Sequence, residues 1–339
     1  MRARAWMKGK GTCVLTVSLL LSLLSWSAQR ASANNTTFSG EATVVQATVL
    51  GLPPVVLSDT GALDSTGGAK EASLLDASVP GLLTAEVLHA STVGQGQRSS
   101  SEASVANVTL TVGGNTISAG LLRARATAEC HNGTASVSGS SEIVDLVVNG
   151  QAIVVSGQPN QTISLPVGRV IINEQQSSVS GNTGDITVNA LHVMVDGVAD
   201  VIISSAHADI TCGGPVCPGG DFVTGGGWIT VTPSGAKGTF GVAGGIKNGG
   251  LWGHLTYIDH GTNMKVKGTG VTAYTVTGPT TRHIEGTAEI DGRSGSYQVD
   301  VSDNGEPGRK DTFSIMLSNR YSASGLLIGG NIQLHQPCK

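Results

Sequence analysis

The sequence contains few aromatic and few charged side chains. Phe, Trp and Tyr make up 4% of its 339 residues, and Asp, Glu, Lys and Arg make up 13%. No basic stripe that would neutralise a row of phosphates is present, which argues against nucleic acid as a partner. Beyond the N-terminal region no apolar run reaches the roughly 20 residues that span a bilayer, so we expect no transmembrane segment in the mature chain.

Helical periodicity is also scarce. The chain instead repeats short alternating or apolar runs between Gly, Asn and Asp residues, a pattern typical of antiparallel sheets. With almost no aromatics before residue 211, the first core has to consist of Val, Ile, Leu and Ala, which favours two packed sheets over helices on a sheet. We predict an all-β protein, with an N-terminal β-sandwich followed by a C-terminal antiparallel eight-stranded β-sandwich or barrel.

Residues 1–33 have the order of a secretory signal peptide. Basic residues precede an apolar run, and Ala31-Ser32-Ala33 supplies a small-x-small cleavage site. The apolar run is too short and too rich in serine for a membrane anchor. Cleavage after Ala33 removes five basic residues and leaves 15 Lys and Arg against 24 Asp and Glu, a net charge of −9. We expect a secreted, extracellular protein, free or associated with the cell surface.

A Gly- and Pro-rich run over residues 214–220 divides the chain. Phe38 is the only aromatic residue between Asn34 and Thr211, whereas nine aromatic residues follow, beginning with Phe222. A run of this composition does not continue a sheet, because Pro lacks the amide donor and Gly loses backbone entropy. We therefore predict two domains, 34–213 and 221–339, joined by a linker over 214–220.

Four cysteines remain after cleavage, and an even count in an exported chain favours disulfides. Cys130 and Cys212 each end an alternating run whose same-face neighbours are small or apolar, so we predict a buried bridge between them. By elimination Cys217 pairs with Cys338 and joins the two ends of the second domain. A zinc site at Cys212 and Cys217 is the alternative, but no second close pair completes four ligands.

Three β-hairpins are predicted in the first domain. Their turns are Gly113-Gly114, Asn149-Gly150 and Asp196-Gly197, of which Asn-Gly suits the two positive φ angles of a type I′ turn. The polar stretch 94–104 is predicted to be a mobile loop.

In the second domain, strand-like runs recur about every 8–12 residues, as in antiparallel sandwiches and barrels. We predict eight strands, near residues 226–232, 237–245, 250–258, 264–276, 282–290, 296–302, 311–318 and 325–335. The last three alternate, and their predicted core-facing residues are Tyr297, Val299, Val301, Phe313, Ile315, Leu317, Leu326, Ile328, Ile332 and Leu334.

Three segments of the first domain resemble the choice-of-anchor P family of exported bacterial proteins: RATAEC (125–130), VVNGQAIVVSGQPNQTISLP (147–166) and VNALHVMV…ADVIISSAHADI (188–210). That resemblance implies an extracellular module, while this chain shows no anchor of its own. The second domain is similar to the post-COAP-1 domain that follows such modules, in DFVTGGGWI (221–229), KGTFGVAGGIKNGGLWGHLTYIDH (237–260), VKGTGVTAY (266–274) and DNGEPGRKDTFSIMLSN (303–319). This second resemblance implies a secreted all-β accessory module.

Two candidate ligand sites lie in the second domain. Oxygen ligands that suit Ca²⁺ surround a glycine turn, although their spacing departs from an EF-hand loop; they are Asp303, Asn304, Glu306 and Asp311. Aromatic faces near polar groups suit a sugar ring if exposed, although aromatics in a small β domain are more often core; they are Trp228, Trp252, Tyr257 and Tyr274.

The histidines do not form a predicted site. If Asp196-Gly197 is a two-residue turn, His192 lies opposite Val201 and His207 opposite Ile186, roughly 20 Å apart, which is too far to share a metal ion. His254, Asp259 and His260 lie near one strand end, but no G-x-S-x-G elbow or carboxylate pair accompanies them.

These features predict a non-catalytic bacterial surface or matrix protein with a structural or adhesive role. Its expected partners are extracellular polysaccharide or cell-surface components, and no cofactor is expected, with calcium as the candidate ion. The alternative is a carbohydrate-binding module in the second domain; a hydrolase is less favoured, because no catalytic constellation accompanies the histidines.

Overall fold

The computed structural model describes residues 35–213, 220–247 and 250–336. This part of the chain consists of β-strands and connecting turns, which confirms the all-β prediction, and no helix within it is long and apolar enough to cross a membrane. In chain order the strands are β1 (Thr37–Phe38), β2 (Glu41–Val49), β3 (Val55–Asp59), β4 (Gly68–Val79), β5 (Leu83–Gln95), β6 (Arg98–Val112), β7 (Asn115–His131), β8 (Thr134–Val144), β9 (Val147–Val148), β10 (Gln151–Ala152), β11 (Gln161–Leu165), β12 (Gly168–Ser180), β13 (Thr183–Val195), β14 (Ala199–Thr211), β15 (Phe222–Ile229), β16 (Gly238–Lys247), β17 (Gly250–Asp259), β18 (Met264–Val276), β19 (Thr281–Ile290), β20 (Arg293–Ser302), β21 (Thr312–Leu317), β22 (Ser322–Leu326) and β23 (Gly329–His335).

The strands form three sheets. The first has the order β11-β12-β13-β14-β2-β3 with β1 also on β14, and the second has the order β10-β9-β7-β6-β5-β4 with β8 also on β7. The third has the order β22-β21-β20-β19-β18-β17-β16-β15-β23. The predicted linker falls between β14 of the first sheet and β15 of the third sheet, yet residues 34–339 form one compact unit. Separate folding of the two halves stays a prediction.

The first and second sheets pack face to face around an apolar core. Leu122 and Ala124 of β7 meet residues of β13 such as Val188 and Ala190, all buried. Phe38 is the one aromatic side chain in this core among the described residues. The core is therefore made of small and branched aliphatic side chains, as the composition of this half predicts.

A disulfide ties these two sheets together. Cys130 of β7 is bonded to Cys212, which follows β14, and their Cα atoms are 5.6 Å apart. This is the pairing that the strand alternation predicts. The bond closes a loop with a sequence separation of 82 residues, for which the chain-entropy model gives at most about 4–5 kcal/mol. The other predicted pair, Cys217 and Cys338, lies outside the described residues.

The third sheet curls around an apolar core of its own. Phe240 and Phe313 stack there with ring centroids 3.8 Å apart, and Tyr257 is fully buried beside them. The curling brings the connection after β22 back to β15, where the Ile328 amide donates to the Trp228 carbonyl at 3.0 Å. Strands β15, β16 and β17 also contact β4, β5 and β6, so the second sheet is the middle of three layers.

The three predicted hairpins are present as β6–β7, β9–β10 and β13–β14. Asn149 and Gly150 have φ angles of 51° and 79°, the signs that a type I′ turn requires. The third hairpin differs in its loop: Val195 pairs with Ala199, so the loop has three residues and not two.

The prediction of a mobile loop over 94–104 is wrong. Strand β5 continues to Gln95, and β6 begins at Arg98 after a tight turn. Ser101 is buried on the sandwich side, where it bonds to Thr92 at 2.8 Å, and Glu102 is buried on the opposite side. The stretch lies buried between the first and third sheets, so its polar composition does not indicate a solvated loop.

The third sheet has nine strands where eight are predicted, because the run 325–335 breaks. Leu326 ends β22, and Gly329 begins β23. Strand β22 pairs with β21, whereas β23 pairs with β15 at the far edge, so the chain changes direction between them. Leu326 and Ile328 are consequently more than half exposed, and Leu327 is buried in their place, which corrects their predicted core positions.

Candidate functional site

The interface between the second and third sheets is rich in polar groups beside two small apolar clusters around Phe222 and Ile258, which sets it apart from the two apolar cores. Both sheets supply buried side chains that carry charges or hydrogen-bonding groups. They include His89, Ser100, Glu102, Ser104, Arg123, Arg125, Asn331, Gln333 and His335. Buried polar groups need specific partners, so this interface is where the molecule concentrates directional chemistry.

Glycines of the third sheet allow close approach at this interface. A Cβ atom on Gly226 would lie 2.8 Å from the Ser104 Oγ atom. A Cβ atom on Gly241 would lie 3.1 Å from the His89 Cβ atom and 3.0 Å from the Thr256 Oγ1 atom. The glycines of β15 and β16 therefore replace side chains with backbone, against which the second sheet packs directly.

A β-bulge decides which side chains of β5 reach the interface. Ala85 lies in the sandwich core, and so does Leu88, three positions further on. Between them Val87 has a φ angle of 46°, and the pairing with β6 shifts register. This irregularity reverses which face the following side chains occupy. His89 consequently points toward the third sheet.

Arg123 is the centre of one buried ion-pair group. Its Nη1 atom lies 3.5 Å from Glu102 Oε2, and its Nη2 atom lies 3.0 Å from Glu142 Oε2. The same Glu142 oxygen accepts a hydrogen bond from the Gly330 amide of β23 at 3.1 Å. Burial raises the pKa of the Glu102 carboxyl, and the neighbouring Arg123 opposes that shift. The group links the middle sheet to the third sheet.

A second charged contact crosses the interface directly. Both terminal nitrogens of Arg125 donate to the two carboxylate oxygens of Glu306. Asn331 Nδ2 donates to the same carboxylate at 3.4 Å. Burial alone would raise the pKa of Glu306, but the Arg125 hydrogen bonds outweigh it and hold that pKa below its usual range. A bidentate pair of this kind fixes the relative orientation of two segments.

Glu71, His89 and His254 form a compact group at the same interface. One ligand atom from each lies within 4.8 Å of the others. His254 Nδ1 lies 3.3 Å from Glu71 Oε1, and His89 Nδ1 lies 2.9 Å from Ser73 Oγ. The Nε2 atoms of both histidines are buried and have no hydrogen-bond partner within the described residues. Burial, together with His254, lowers the pKa of His89 to about 3, so this ring is neutral.

The structure does not bring the four candidate aromatic residues together. Tyr257 is fully buried in the core of the third sheet. Trp252 packs edge-on against Phe222, while Trp228 lies under Lys237 Nζ at 4.9 Å from the ring centroid. Tyr274 donates its hydroxyl hydrogen to Asp221. These four side chains offer no common platform on which a sugar ring could stack.

The four candidate calcium ligands are used within the protein. Asp303 accepts the Gly305 and Leu334 amides, and Asp311 accepts the Asn304 and Ile332 amides. Glu306 pairs with Arg125, and Asn304 Nδ2 donates to Ser302 Oγ and to the Lys310 carbonyl. Burial raises the pKa of Asp311 to about 6. These side chains organise the turn themselves, and they are not among the ligand groups that converge in the described part of the chain.

His254, Asp259 and His260 do not form a catalytic group. His254 faces Glu71, as described above, and His260 Nε2 lies 2.9 Å from Thr239 Oγ1. Asp259 accepts hydrogen bonds from Ser234 and Tyr321. Burial raises the pKa of Asp259, but these hydrogen bonds lower it further, so the side chain is an ionised structural acceptor.

His192 and His207 lie on the first sheet, one register position away from the prediction. They oppose Ile202 and Thr187, because the hairpin loop has three residues. His192 contacts Glu174 and Asp200, each at 2.9 Å. His207 belongs to a second convergent group, with Asp185 and Asp209, in which Asp185 is exposed.

One end of the sandwich carries exposed apolar loops. The hairpin loops 50–54, 166–167 and 196–198 of the first sheet all lie at this end, since their strands pair side by side. Leu50, Val167 and Val198 are exposed there. Leu50 and Val198 also line an open groove of about 610 Å³. We refer to these three loops as the apolar loop end.

Comparison with known proteins gives little. No family model and no curated protein matches the chain. A Nitrosomonas europaea protein described as an AttH has 6% identity and a TM-score of 0.21, covering 89% of this chain and 93% of that one. Kievitone hydratase from Nectria haematococca has 10% identity and a TM-score of 0.19, covering 89% of each chain. Likeness at this level has no bearing on function.

Sequence reasoning missed Glu71 and His89. The available signal was the alternation of β4, where Glu71, Ser73 and Leu75 share one face. The alternation of β4 did not show that His89 lies nearby. The irregularity at Val87 interrupts the alternation of β5, so the sequence does not reveal which face carries His89.

Proposed function

We propose that the protein is a secreted bacterial surface or matrix protein with a structural and adhesive role and no catalytic activity. The signal-like N-terminal order and the resemblance to choice-of-anchor P and post-COAP-1 modules support export. The disulfide between Cys130 and Cys212 is consistent with an oxidising compartment.

The apolar loop end is the observation on which the adhesive role rests. Binding residues are disproportionately found on loops held by a rigid scaffold, and contiguous exposed apolar surface marks interaction sites. The proposed partners are components of the bacterial cell surface or of the extracellular matrix. The dispersed aromatic residues give no support to a separate carbohydrate-binding role.

Fractionation and adsorption test this proposal. When the full-length chain is expressed, its product is expected in the culture medium or on the cell surface, cleaved after Ala33. The purified mature protein should adsorb to bacterial envelopes and matrix, and a Leu50→Asp, Val198→Asp double variant should adsorb less. Val276→Asp is the matched control, because Val276 is exposed but belongs to the third sheet.

Three outcomes would contradict the proposal. Retention of the full-length chain in the cytoplasm would remove the export step. Equal adsorption of the double variant and wild type would remove the apolar loop end as the contact surface. Turnover in a broad screen of esters, peptides and glycosides would contradict the non-catalytic part.

A further inference from the structure

The group of Glu71, His89 and His254 has the composition of a metal site. Two imidazoles and one carboxylate, with a fourth position left for water, form a ligand set that proteins offer to Zn²⁺. We propose that these three residues bind one divalent transition-metal ion, with Zn²⁺ as the best-suited ion, between the second and third sheets.

The separations within the group suit such an ion. Donors on a tetrahedral zinc ion with bonds of about 2.0–2.1 Å lie roughly 3.3 Å apart. Glu71 Oε1 and His254 Nδ1 are already 3.3 Å apart. A ring nitrogen of His89 lies within 4.8 Å of a ligand atom of Glu71 and of one of His254, so the group would be completed by side-chain adjustment.

The tautomer of His89 leaves a lone pair available. Ser73 Oγ lies 3.4 Å from Glu71 Oε2 and 2.9 Å from His89 Nδ1, so a hydroxyl that donates its hydrogen to Glu71 accepts one from His89 Nδ1. In that tautomer Nε2 carries the lone pair, and this atom is buried with no hydrogen-bond partner among the described residues. A hydrogen bond at one ring nitrogen that orients the other is the usual support of a metal-bound histidine.

The second convergent group lacks this feature. His207 Nε2 is already engaged with Asp185 Oδ2 at 2.9 Å, and Asp209 accepts a hydrogen bond from Ser39.

An ion can reach the proposed site from solvent through two of its three ligands. The side chains of Glu71 and His254 are 15% and 19% exposed.

The proposed ion would join the two halves of the chain. Glu71 and His89 come from β4 and β5 of the second sheet, and His254 comes from β17 of the third sheet. Because the ion binds the assembled interface and not the unfolded chain, it would stabilise the native protein.

Zinc titration of the untagged mature protein, stripped with EDTA and dialysed, tests this inference. Calorimetry should show one Zn²⁺ per chain, and zinc should raise the melting temperature. His254→Gln and Glu71→Gln should each weaken binding by at least about tenfold, because each removes a ligand. His260→Gln is the control, since His260 follows the same strand but faces Thr239. Co²⁺ should give the visible absorption of a four-coordinate site in wild type and in His260→Gln, but not in His254→Gln or Glu71→Gln.

Circular dichroism and non-reducing mapping of the Cys130–Cys212 bond establish that each variant is folded. The inference is overturned if wild type binds no zinc, or if folded His254→Gln and Glu71→Gln bind it as wild type does. It is also overturned if binding is lost only in His207→Gln, which would place the ion at the exposed group on the first sheet. None of these outcomes bears on export or adsorption.

Discussion

The two faces of the second sheet differ in chemistry although both are buried. Along β7, Leu122 and Ala124 enter the sandwich core, while Arg123 and Arg125 alternate with them and face the third sheet. The inner face meets aliphatic side chains and gains from non-directional apolar burial. The outer face meets carboxylates, histidines and glycine backbone, where each group needs a particular partner. Both faces are therefore buried, but only the outer face depends on directional interactions between particular partners.

The difference assigns separate roles to the two faces. An apolar face tolerates many arrangements of similar volume. A face of paired charges fixes register, because displacement leaves a charge buried without its partner. The outer face is thus better suited to setting how the third sheet lies on the second than to supplying net stability.

The largest effect is expected from breaking the outer face at Arg123. Arg123→Met leaves the Glu102 and Glu142 carboxylates without their cation. Loss of one partner of a buried pair costs about 3–5 kcal/mol of unfolding free energy. Urea denaturation measures this, and Arg123→Met combined with Glu102→Leu should recover part of the loss. A loss below about 1 kcal/mol would mean that the pair is solvated.

A neighbouring change tests the inner face in the same strand. Leu122→Ala removes a fully buried side chain from the sandwich core. The expected loss of unfolding free energy is about 3 kcal/mol, from transfer and cavity formation. Unlike the Arg123 loss, it should not be recoverable by any charge change on a partner. Recovery by a polar substitution nearby would contradict the apolar character of this face.

Close approach at the interface is tested by Gly241→Ala. The added methyl group meets His89 and Thr256 at 3.0–3.1 Å, so overpacking should cost about 1–3 kcal/mol. Gly250→Ala is the matched control in the same sheet, because the nearest atom to its Cβ would be 3.7 Å away. Equal denaturation midpoints for the two variants would show that the sheets can separate without cost.

The smallest effect concerns pH and His335 on the outer face. Burial, with Arg98 and Arg125 nearby, lowers the pKa of His335 to about 3. The unfolded chain therefore binds the proton first, and the stability that neutral His335 contributes is complete above pH 6.5 and declines as pH falls toward 3. The stability difference between wild type and His335→Gln should shrink as pH falls from 6.5 toward 3. Parallel pH profiles of the two proteins would contradict this shift.

The inner face could be predicted from the sequence and the outer face could not. Alternation alone gives the pairing of Cys130 with Cys212, because both ends of the bond lie on apolar faces. The same alternation places Arg123 and Arg125 on the opposite face. Charged side chains on one face of a strand predict exposure to solvent, and the sequence gives no sign of the layer that covers them. The stretch 94–104 was misjudged for this reason.

The candidate site required information that local sequence does not contain. The positive φ angle at Val87 reverses the alternation that would place His89, and nothing in the composition of β5 marks that position. His254 comes from another sheet, more than 150 positions along the chain. Long-range register, set by the glycines of β15 and β16, decides that these side chains meet.

Strand β23 has a consequence for synthesis of the chain. It follows the other strands of the third sheet, yet it hydrogen-bonds to β15, the first of them. Until residues 329–335 have emerged from the ribosome, one edge of β15 has no strand paired with it, and Asn331 and Gln333 are missing from the contact with the second sheet. A nascent polypeptide stalled before that point would expose an unpaired strand edge, so assembly of the third layer has to wait for residues 329–335.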